Sequence, residues 1–150
     1  MFPKLKLPEY PFKIKSADNG KFQIFDTNRR KYVALTPEEW VRQNFIQFLI
    51  QEKKYPASLI SIEAGLKYNQ LKKRSDITIY KNAKLMLLVE CKAPGITINQ
   101  NVFDQIAMYN TALKAEYLVV TNGNNHYCCI VNHDKGGYKF LKDVPLYTEL

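Results

Sequence analysis

The clearest hydrophobic pattern in the chain is the unbroken apolar run at residues 85–89, which ends in Glu90-Cys91-Lys92. A strand with apolar side chains on both faces is typical of the centre of an α/β sheet. Successive strand side chains point to opposite faces, so Glu90 and Lys92 share one face and Cys91 lies on the other. Opposite charges at the end of a buried strand are costly unless they bind something. The pattern therefore predicts an active-site strand that Pro94 brings to an end.

Helical spacing of apolar residues predicts two helices. The first starts at Thr36-Pro37, because threonine caps a helix well and proline suits its first position, and the apolar spacing continues to about Lys53. Glu39, three residues after Thr36, completes a capping box. The second helix is predicted over residues 99–115.

Short alternating or β-branched runs between turn signals predict the strands. The predicted strands are residues 21–25, 31–35, 59–66, 76–80, 117–121, 126–132 and 138–141, with the central strand starting at Leu85 and stopped by Pro94. The first two form a small hairpin. Residues 69–74 are interpreted as a polar linker, and the proline-containing residues 1–15 as an extended arm laid over the domain.

The two strands around residue 82 must satisfy a constraint on side-chain faces. Asp76 and Glu90 share a face only if they lie opposite each other, which places Lys81 opposite Leu85. That pairing needs a three-residue loop at residues 82–84, or a β-bulge that restores the alternation. Both solutions are open at this point.

The order of elements predicts an α/β fold with a mixed β-sheet flanked by helices and an N-terminal β-hairpin. The 150 residues fit one domain, and no repeat or internal boundary divides them. We therefore expect residues 1–150 to form a single domain, with residues 1–15 as its arm.

Composition narrows the class of protein. A hydrophobic content of 46% and a charged content of 24% are those of a soluble globular domain, and no apolar run is long enough to span a membrane. Three cysteines, an odd number, favour a reducing compartment and a cytoplasmic location. The net charge of +8 indicates either a polyanionic partner such as nucleic acid or a merely basic, solvated surface.

The predicted hairpin brings together two carboxylates and one amine. Asp76 and Glu90 are hard oxygen ligands that suit Mg²⁺, with Mn²⁺ as a substitute, and such an ion can activate water beside a phosphate. The ammonium of Lys92 can orient that water and stabilise the developing oxyanion. These parts suffice for phosphodiester hydrolysis, whereas the plain alternative is a salt bridge of little energetic value.

Three separated blocks of sequence resemble known nucleases. Ser75-Asp76 followed by Val89-Glu90-Cys91-Lys92 resembles the signature of the PD-(D/E)XK nuclease superfamily, with Ser75 where the superfamily name has proline. Gln105-Ile106-Ala107-Met108-Tyr109 is similar to the Gln-x-x-x-Tyr element of its RecB-like branch. Residues 36–42, 73–76 and 90–94 together resemble the nuclease domain at the N-terminus of type I restriction enzyme R subunits.

This resemblance implies a restriction-endonuclease-like fold and a role for each matching residue. Asp76, Glu90 and the backbone carbonyl of Cys91 would hold the metal, and Lys92 would position the attacking water. Gln105 and Tyr109 would support the site and approach the DNA backbone. The expected products carry a 5′-phosphate. No Gly-x-x-x-x-Gly-Lys-Ser/Thr motif is present, so the resemblance does not extend to an ATP-driven motor.

Each of the remaining polar candidates has two interpretations, one as part of a functional site and one as an ordinary structural or solvent-exposed residue. Glu39 resembles the first-helix acid of many relatives, but its capping role also explains it. Glu63 either points at the site or is a solvated strand residue. Lys72, Lys73 and Arg74 either contact phosphates or form a solvated loop. His126 and Cys128 share a strand face, but two ligands do not make a zinc site.

The leading functional hypothesis is a Mg²⁺-dependent DNA endonuclease domain. Because a single site cuts one strand, cleavage of both strands would need a homodimer or successive nicks. The alternative is a DNA-binding module of nuclease fold that is inactive alone, or active only with a separate motor or specificity subunit.

Overall fold

The computed structural model describes residues 2–62, 67–68, 71–72 and 77–150, and the backbone alone at residues 67, 68, 71, 72, 109 and 112. The described helices are α1 (Pro37–Gln51) and α2 (Gln100–Leu113), with short 3₁₀ turns at Ala57–Leu59 and Tyr147–Glu149. Within these ranges, no helix is both long and apolar enough to cross a membrane.

The described strands form three sheets. Their bounds are β1 (Ile14–Ser16), β2 (Phe22–Asp26), β3 (Lys31–Ala34), β4 (Ile60–Ser61), β5 (Lys67–Tyr68), β6 (Leu71–Lys72), β7 (Ile77–Lys81), β8 (Lys84–Cys91), β9 (Tyr117–Thr121), β10 (His126–Val131) and β11 (Tyr138–Leu141). The main sheet has the order β11-β10-β9-β8-β7-β4, β1-β2-β3 form a separate antiparallel sheet, and β5 pairs with β6.

Strand β8 lies near the middle of the main sheet, antiparallel to β7 and parallel to β9. Its residues Leu87, Leu88 and Val89 are at most 1% exposed, as expected for a strand covered on both faces. The two faces belong to different hydrophobic clusters. The α1 side contains Leu87, Val89 and Cys91, and the α2 side contains Leu88. The predicted fold, a mixed sheet flanked by helices with an N-terminal hairpin, is confirmed.

The hairpin between β7 and β8 combines a tight turn with a β-bulge. Lys81 pairs with Lys84 across a two-residue turn at Asn82-Ala83, but Ile79 pairs with Leu87, so Met86 is the extra residue in β8. Of the two solutions left open by the sequence, the bulge is the one adopted. It places Ile77 opposite Val89 and Thr78 opposite Leu88.

Both helices start at the polar residues that the sequence indicates. The Thr36 hydroxyl accepts a hydrogen bond from the backbone N–H of Glu39 (3.0 Å), and the Asn99 side chain accepts one from Val102 (2.9 Å). Helix α1 ends at Gln51, slightly before the predicted end, because the backbone then turns through Lys54 at φ +62°.

Three predicted segments differ from the structure. Ile14–Ser16, expected to belong to the arm and its flank, forms an edge strand in which Ile14 pairs with Ile24, and three residues are too few to show a periodic pattern. The predicted linker at residues 69–74 contains the short strand Leu71–Lys72. In the described part of residues 59–66, only Ile60–Ser61 is a strand, since Leu59 belongs to the 3₁₀ turn that follows Pro56.

Residues 2–13 contain no helix or strand and lie against α1 and the β9–β10 turn. Leu5 is 7% exposed and packs in the core on the α1 side. The backbone N–H of Lys6 donates to the Gly123 carbonyl (3.0 Å), and the Trp40 indole N–H donates to the Pro3 carbonyl (2.9 Å). At Gly123, with φ +86°, an added Cβ would lie 2.7 Å from a Leu5 methyl carbon, so glycine is required there.

The turn at residues 82–83 gives a first prediction. Asn82 and Ala83 have φ values of +54° and +61°, as a type I′ turn requires, yet alanine disfavours that region. We expect Ala83→Gly to raise the free energy of unfolding by about 0.5–1 kcal/mol in urea titrations, net of the extra entropy that glycine loses on folding. Ala83→Val should lower it, because a β-branched residue tolerates positive φ poorly. Equal stability of the two variants would contradict this account of the turn.

Candidate functional site

The charged residues at the end of β8 lie together as the alternation predicts. Glu90 is 7% exposed and pairs in register with Val120 of β9. The ammonium of Lys92 lies 3.4 Å from a carboxylate oxygen of Glu90, and the Lys92 side chain is 27% exposed. At the end of β8, on the α2 side of the sheet, an almost buried carboxylate thus lies beside a partly exposed lysine.

The chain beyond β8 is held in place by the neighbouring strand and its turn. The backbone N–H of Lys92 donates to the Thr121 carbonyl (2.8 Å), so the parallel pairing continues past the end of β8. The Asn122 side chain donates to the Ile96 carbonyl (2.9 Å) and accepts hydrogen bonds from the backbones of Asn124 and Asn125. Asn122 therefore fixes the loop after Lys92. The sequence showed only a turn there.

A buried hydroxyl lies on the same face as Glu90. Thr78 pairs with Leu88 and is therefore the diagonal neighbour of Glu90 on the α2 side. It is 1% exposed, and within the described residues its hydroxyl oxygen has no hydrogen-bond partner. A buried polar atom without a protein partner indicates a place for an ordered water or ion. The sequence did not single out this residue.

Two predicted supporting residues lie on α2. Gln105 is exposed, one turn before Tyr109, whose side chain is outside the described part of the chain. Helix α2 packs on the face of β8 that carries Glu90, through Phe103 and Ile106. The helix thus lies on the correct face of the sheet for a supporting role.

Glu39 belongs to a buried ionic network on the first turn of α1. Its carboxylate accepts hydrogen bonds from Arg29 (3.1 and 3.2 Å), from Gln43 (2.8 Å) and from the guanidinium of Arg42. Arg29 also pairs with Asp26, which is 1% exposed. Of the predicted capping box, the structure has the bond from the Glu39 backbone N–H to the Thr36 hydroxyl, while the Glu39 side chain joins the ionic network. Arg42 and Gln43 follow Glu39 by three and four residues, a helical spacing that could have indicated these contacts, whereas nothing in the sequence pointed to Arg29.

The cysteines occupy the core, and His126 lies half-buried beside them. Burial raises the pKa of the Cys128 thiol to about 12 and that of Cys129 to about 11, so both thiols stay protonated at neutral pH. The ring of His126 stacks on Phe48, its Nδ1 lies 2.6 Å from the Thr121 hydroxyl, and burial lowers its pKa. All three cysteines are buried. Cys128 therefore packs in the interior, with His126 half-buried beside it.

Several predicted site residues lie outside the described part of the chain. They are Asp76, Glu63, Lys73 and Arg74, and at Lys72 only the backbone is described, as part of β6. The described residues contain no group of three or more His, Cys, Asp or Glu side chains that could hold a metal ion. The roles predicted for these positions therefore stay predictions.

Comparison with known proteins gives one match. A family model described as the type I restriction enzyme R protein N terminus matches residues 37–145, which include both helices and most of the main sheet. No curated protein and no solved structure matches the chain. The resemblance to the R-subunit N-terminal domain, read from three short blocks, is confirmed over most of the chain.

The network around Glu39 gives the second prediction. Glu39→Gln removes the negative charge that Arg29 and Arg42 share in a buried place, so we expect the free energy of unfolding to fall by about 3 kcal/mol. Chemical denaturation of the variant measures the loss. Glu38→Gln is the matched control, since Glu38 lies in the same helical turn but is exposed, and it should change stability by less than about 0.5 kcal/mol. Similar losses in both variants would mean that the network contributes nothing beyond the helix dipole.

Proposed function

Because the chain belongs to the family of the type I restriction enzyme R protein N terminus, we propose that it is a divalent-metal-dependent DNA endonuclease domain. Its site would be built from Asp76, Glu90 and Lys92. The observation that carries the proposal is the pairing of an almost buried Glu90 with Lys92 at the open end of a central strand. A purely structural ion pair gains little by such a placement, because burying the charges costs free energy.

The described donors fit a hard divalent ion. Glu90 supplies a carboxylate, and the carbonyl of Cys91 follows it at the strand end. The hydroxyl of Thr78 on the same face, which has no hydrogen-bond partner among the described residues, suits a water in the outer shell of such an ion. Asp76 directly precedes Ile77, and Ile77 pairs with the residue before Glu90. We propose Asp76 as the second carboxylate ligand, with Mg²⁺ as the ion and Mn²⁺ as its substitute.

Lys92 would act on the attacking water. When bound, the ion would activate water for attack on phosphorus and neutralise the charge that develops there. The backbone of Lys92 is fixed at the strand end by its hydrogen bond to Thr121, and its ammonium lies beside the Glu90 carboxylate. From this place it can orient the water through a hydrogen bond and stabilise the developing oxyanion. The bond between phosphorus and the 3′ oxygen breaks, which leaves a 5′-phosphate and a 3′-hydroxyl.

Contact with DNA would involve both polar and basic residues. Gln105 is exposed on the helix that covers the Glu90 face, and we propose that it and Tyr109 support the site and approach the backbone. Lys72, Lys73 and Arg74, just before Asp76, would neutralise phosphates without reading sequence. The net charge of +8 supports a polyanionic partner.

The family name also favours partners beyond DNA. An R protein is one subunit of a larger enzyme, so this domain would cut DNA in an assembly with a motor or specificity subunit, and a homodimer is the simplest arrangement for cutting both strands. Three cysteines, an odd number, fit a reducing compartment, and on that ground we propose the cytoplasm.

Cleavage of DNA by the purified protein is the third prediction. With Mg²⁺, the protein should nick supercoiled plasmid, and Glu90→Gln and Lys92→Met should each reduce the rate at least about 100-fold, as expected when a charge-stabilising group is removed. Gel separation of nicked and supercoiled plasmid measures the rate. Lys84→Met is the matched control, because Lys84 lies at the other end of β8 and pairs with the surface residue Glu116 (2.6 Å).

Three outcomes would change the interpretation. Equal cleavage by the wild type and the Glu90 and Lys92 variants would identify a contaminant and remove the catalytic claim. If the wild type binds DNA but cuts it only after a motor or specificity subunit is added, the module is active only in the assembly. Binding without cleavage under every condition would favour a DNA-binding module of nuclease fold.

Metal binding is the fourth prediction, and it does not depend on activity. Isothermal titration calorimetry should show Mg²⁺ or Mn²⁺ binding to the wild type that is lost in Glu90→Ala and in Asp76→Asn. Glu116→Gln, at a half-buried carboxylate directly before β9, is the control and should bind as the wild type does. Unchanged binding in Glu90→Ala would place the ion elsewhere and contradict the proposed ligand set.

A further inference from the structure

The outward face of the N-terminal sheet carries aromatic and basic side chains together. Phe25 of β2 and Tyr32 of β3 are cross-strand partners, with ring centroids 5.2 Å apart. Ile24, on the opposite face of β2, is fully buried. The alternation of the strand therefore directs Phe25 and Tyr32 away from the side that packs on the protein. We call Lys13, Lys15, Phe25 and Tyr32 the stacking face.

Lysines of the neighbouring strand and its flank cover these two rings. The ammonium of Lys15 lies 4.0 Å from the centroid of Tyr32, and that of Lys13 lies 5.8 Å from the centroid of Phe25. Both lysines are exposed. An exposed cation–π contact contributes only about 0.5–1 kcal/mol, so another π-system can displace it readily. The displaced ammonium groups would remain beside the ring, where they can meet phosphates.

The charge around the stacking face favours a polyanion. Residues 13–31 contain six basic and two acidic side chains. One of the acids, Asp26, is buried and paired with Arg29, so it does not offset the exposed charge. The exposed basic residues there are Lys13, Lys15, Lys21, Arg30 and Lys31, against one exposed acid, Asp18. This excess is large for so small a sheet.

A groove continues the stacking face toward α1. Its volume is about 270 Å³, and Phe25 forms part of its wall. Aromatic rings and side-chain amides form much of the remaining wall, together with Pro11, Lys13 and Thr27; the rings and amides are those of Tyr10, Phe12, Gln43, Gln47 and Gln51. Amide groups can donate and accept hydrogen bonds along the edge of a base, and aromatic rings can stack on its face. Gln47 and Gln51 lie one helical turn apart on the groove side of α1, whereas the amide of Gln43 is buried and donates to Glu39 (2.8 Å), so Gln47 and Gln51 are the amides that can follow the edge of a base.

We propose that the stacking face and this groove bind single-stranded DNA. Rings on an open sheet surface, with basic side chains between them, are the arrangement that binds unpaired bases without sequence preference. Duplex DNA offers phosphates but keeps the faces of its bases stacked, so it would use the lysines and leave the rings unused. The inference rests on the proposed action on DNA and adds a second contact, to the unpaired strand near a nick or an opened duplex.

The test, our fifth prediction, is binding of fluorescein-labelled dT₁₂ to the full chain in EDTA, where no cleavage occurs, followed by fluorescence anisotropy. Phe25→Leu and Tyr32→Leu keep the apolar bulk but remove the aromatic ring, and each should weaken binding about tenfold. Tyr32→Phe keeps the ring and should bind as the wild type does. Thermal melts of each variant show whether it is folded.

Matched variants separate stacking from charge. Tyr127→Leu removes an exposed tyrosine of the main sheet and should leave dT₁₂ binding unchanged. Log affinity falls as log salt rises, and the double variant Lys13→Gln/Lys15→Gln should make the slope of this dependence shallower by about 1.4. That is the value for two lost phosphate contacts to a single strand, at about 0.7 for each contact. Lys139→Gln/Lys142→Gln, at two exposed lysines elsewhere, removes the same charge and should not change the slope.

Four results would overturn the inference. It fails if the wild type does not bind dT₁₂, if the leucine variants bind as the wild type does, or if Tyr127→Leu weakens binding equally. It also fails if a 12-base-pair duplex shows the same affinity and the same losses. Glu90→Gln distinguishes the two proposals, since it should abolish cleavage without changing dT₁₂ affinity. Retained cleavage in Glu90→Gln with normal dT₁₂ binding refutes the nuclease site and not the stacking face.

Discussion

The candidate site depends on which face of the sheet each residue of β8 takes, and one inserted residue decides this. The tight turn at Asn82-Ala83 sets the first pairs of the hairpin, and Met86 then shifts the register by one. Without that shift, every later residue of β8 would change faces relative to β7, and Val89 would replace Glu90 on the face of Thr78. The extra residue thus allows a tight turn and a fully buried strand to coexist with a carboxylate on the α2 side. Bulges of this kind re-aim side chains next to active sites.

The two buried glutamates of the described chain show opposite ways to keep a charge inside a protein. The carboxylate of Glu39 is satisfied by two arginines and a glutamine, with a further acid, Asp26, sharing Arg29. Such a network has its charges balanced internally and suits a structural role. Glu90 instead lies at a strand end beside a lysine that reaches solvent. The same chemical group, at similar burial, belongs to a network on the first turn of α1 in one place and lies at the end of a central strand in the other. That position at the end of the strand, more than burial itself, makes Glu90 the better candidate for a ligand.

Local patterns predicted the fold because its elements are locally encoded. Thr36, Asn99 and the apolar run of β8 each carry their own signal, and the structure follows them closely. The pairing of Glu90 with Lys92 follows from alternation alone. By contrast, the contacts of Asn122 with Ile96, and of Glu39 with Arg29, join residues whose proximity depends on how the elements pack. Short strands such as Ile14–Ser16 were missed for a related reason, since they exist only because a longer neighbour pairs with them. The sequence alone therefore predicted where the strands end, but it did not predict the tertiary side-chain contacts that hold the neighbouring loops and helix in place.

The N-terminal residues contribute to that bracing on both sides of β8. On one side, the Asn28 amide in the β2–β3 turn donates to the Ile60 carbonyl (3.0 Å), and Ile60 belongs to β4, which pairs with β7. On the other side, Leu5 and the backbone of Lys6 hold the turn at Gly123, next to the Asn122 side chain that fixes the loop after Lys92. The strand that carries Glu90 is therefore linked to the N-terminal residues through both of its neighbours. Because the stacking face lies in the same N-terminal segment, a strand of DNA bound there would contact a part of the protein that is connected, through few intermediates, to the site that would cut it.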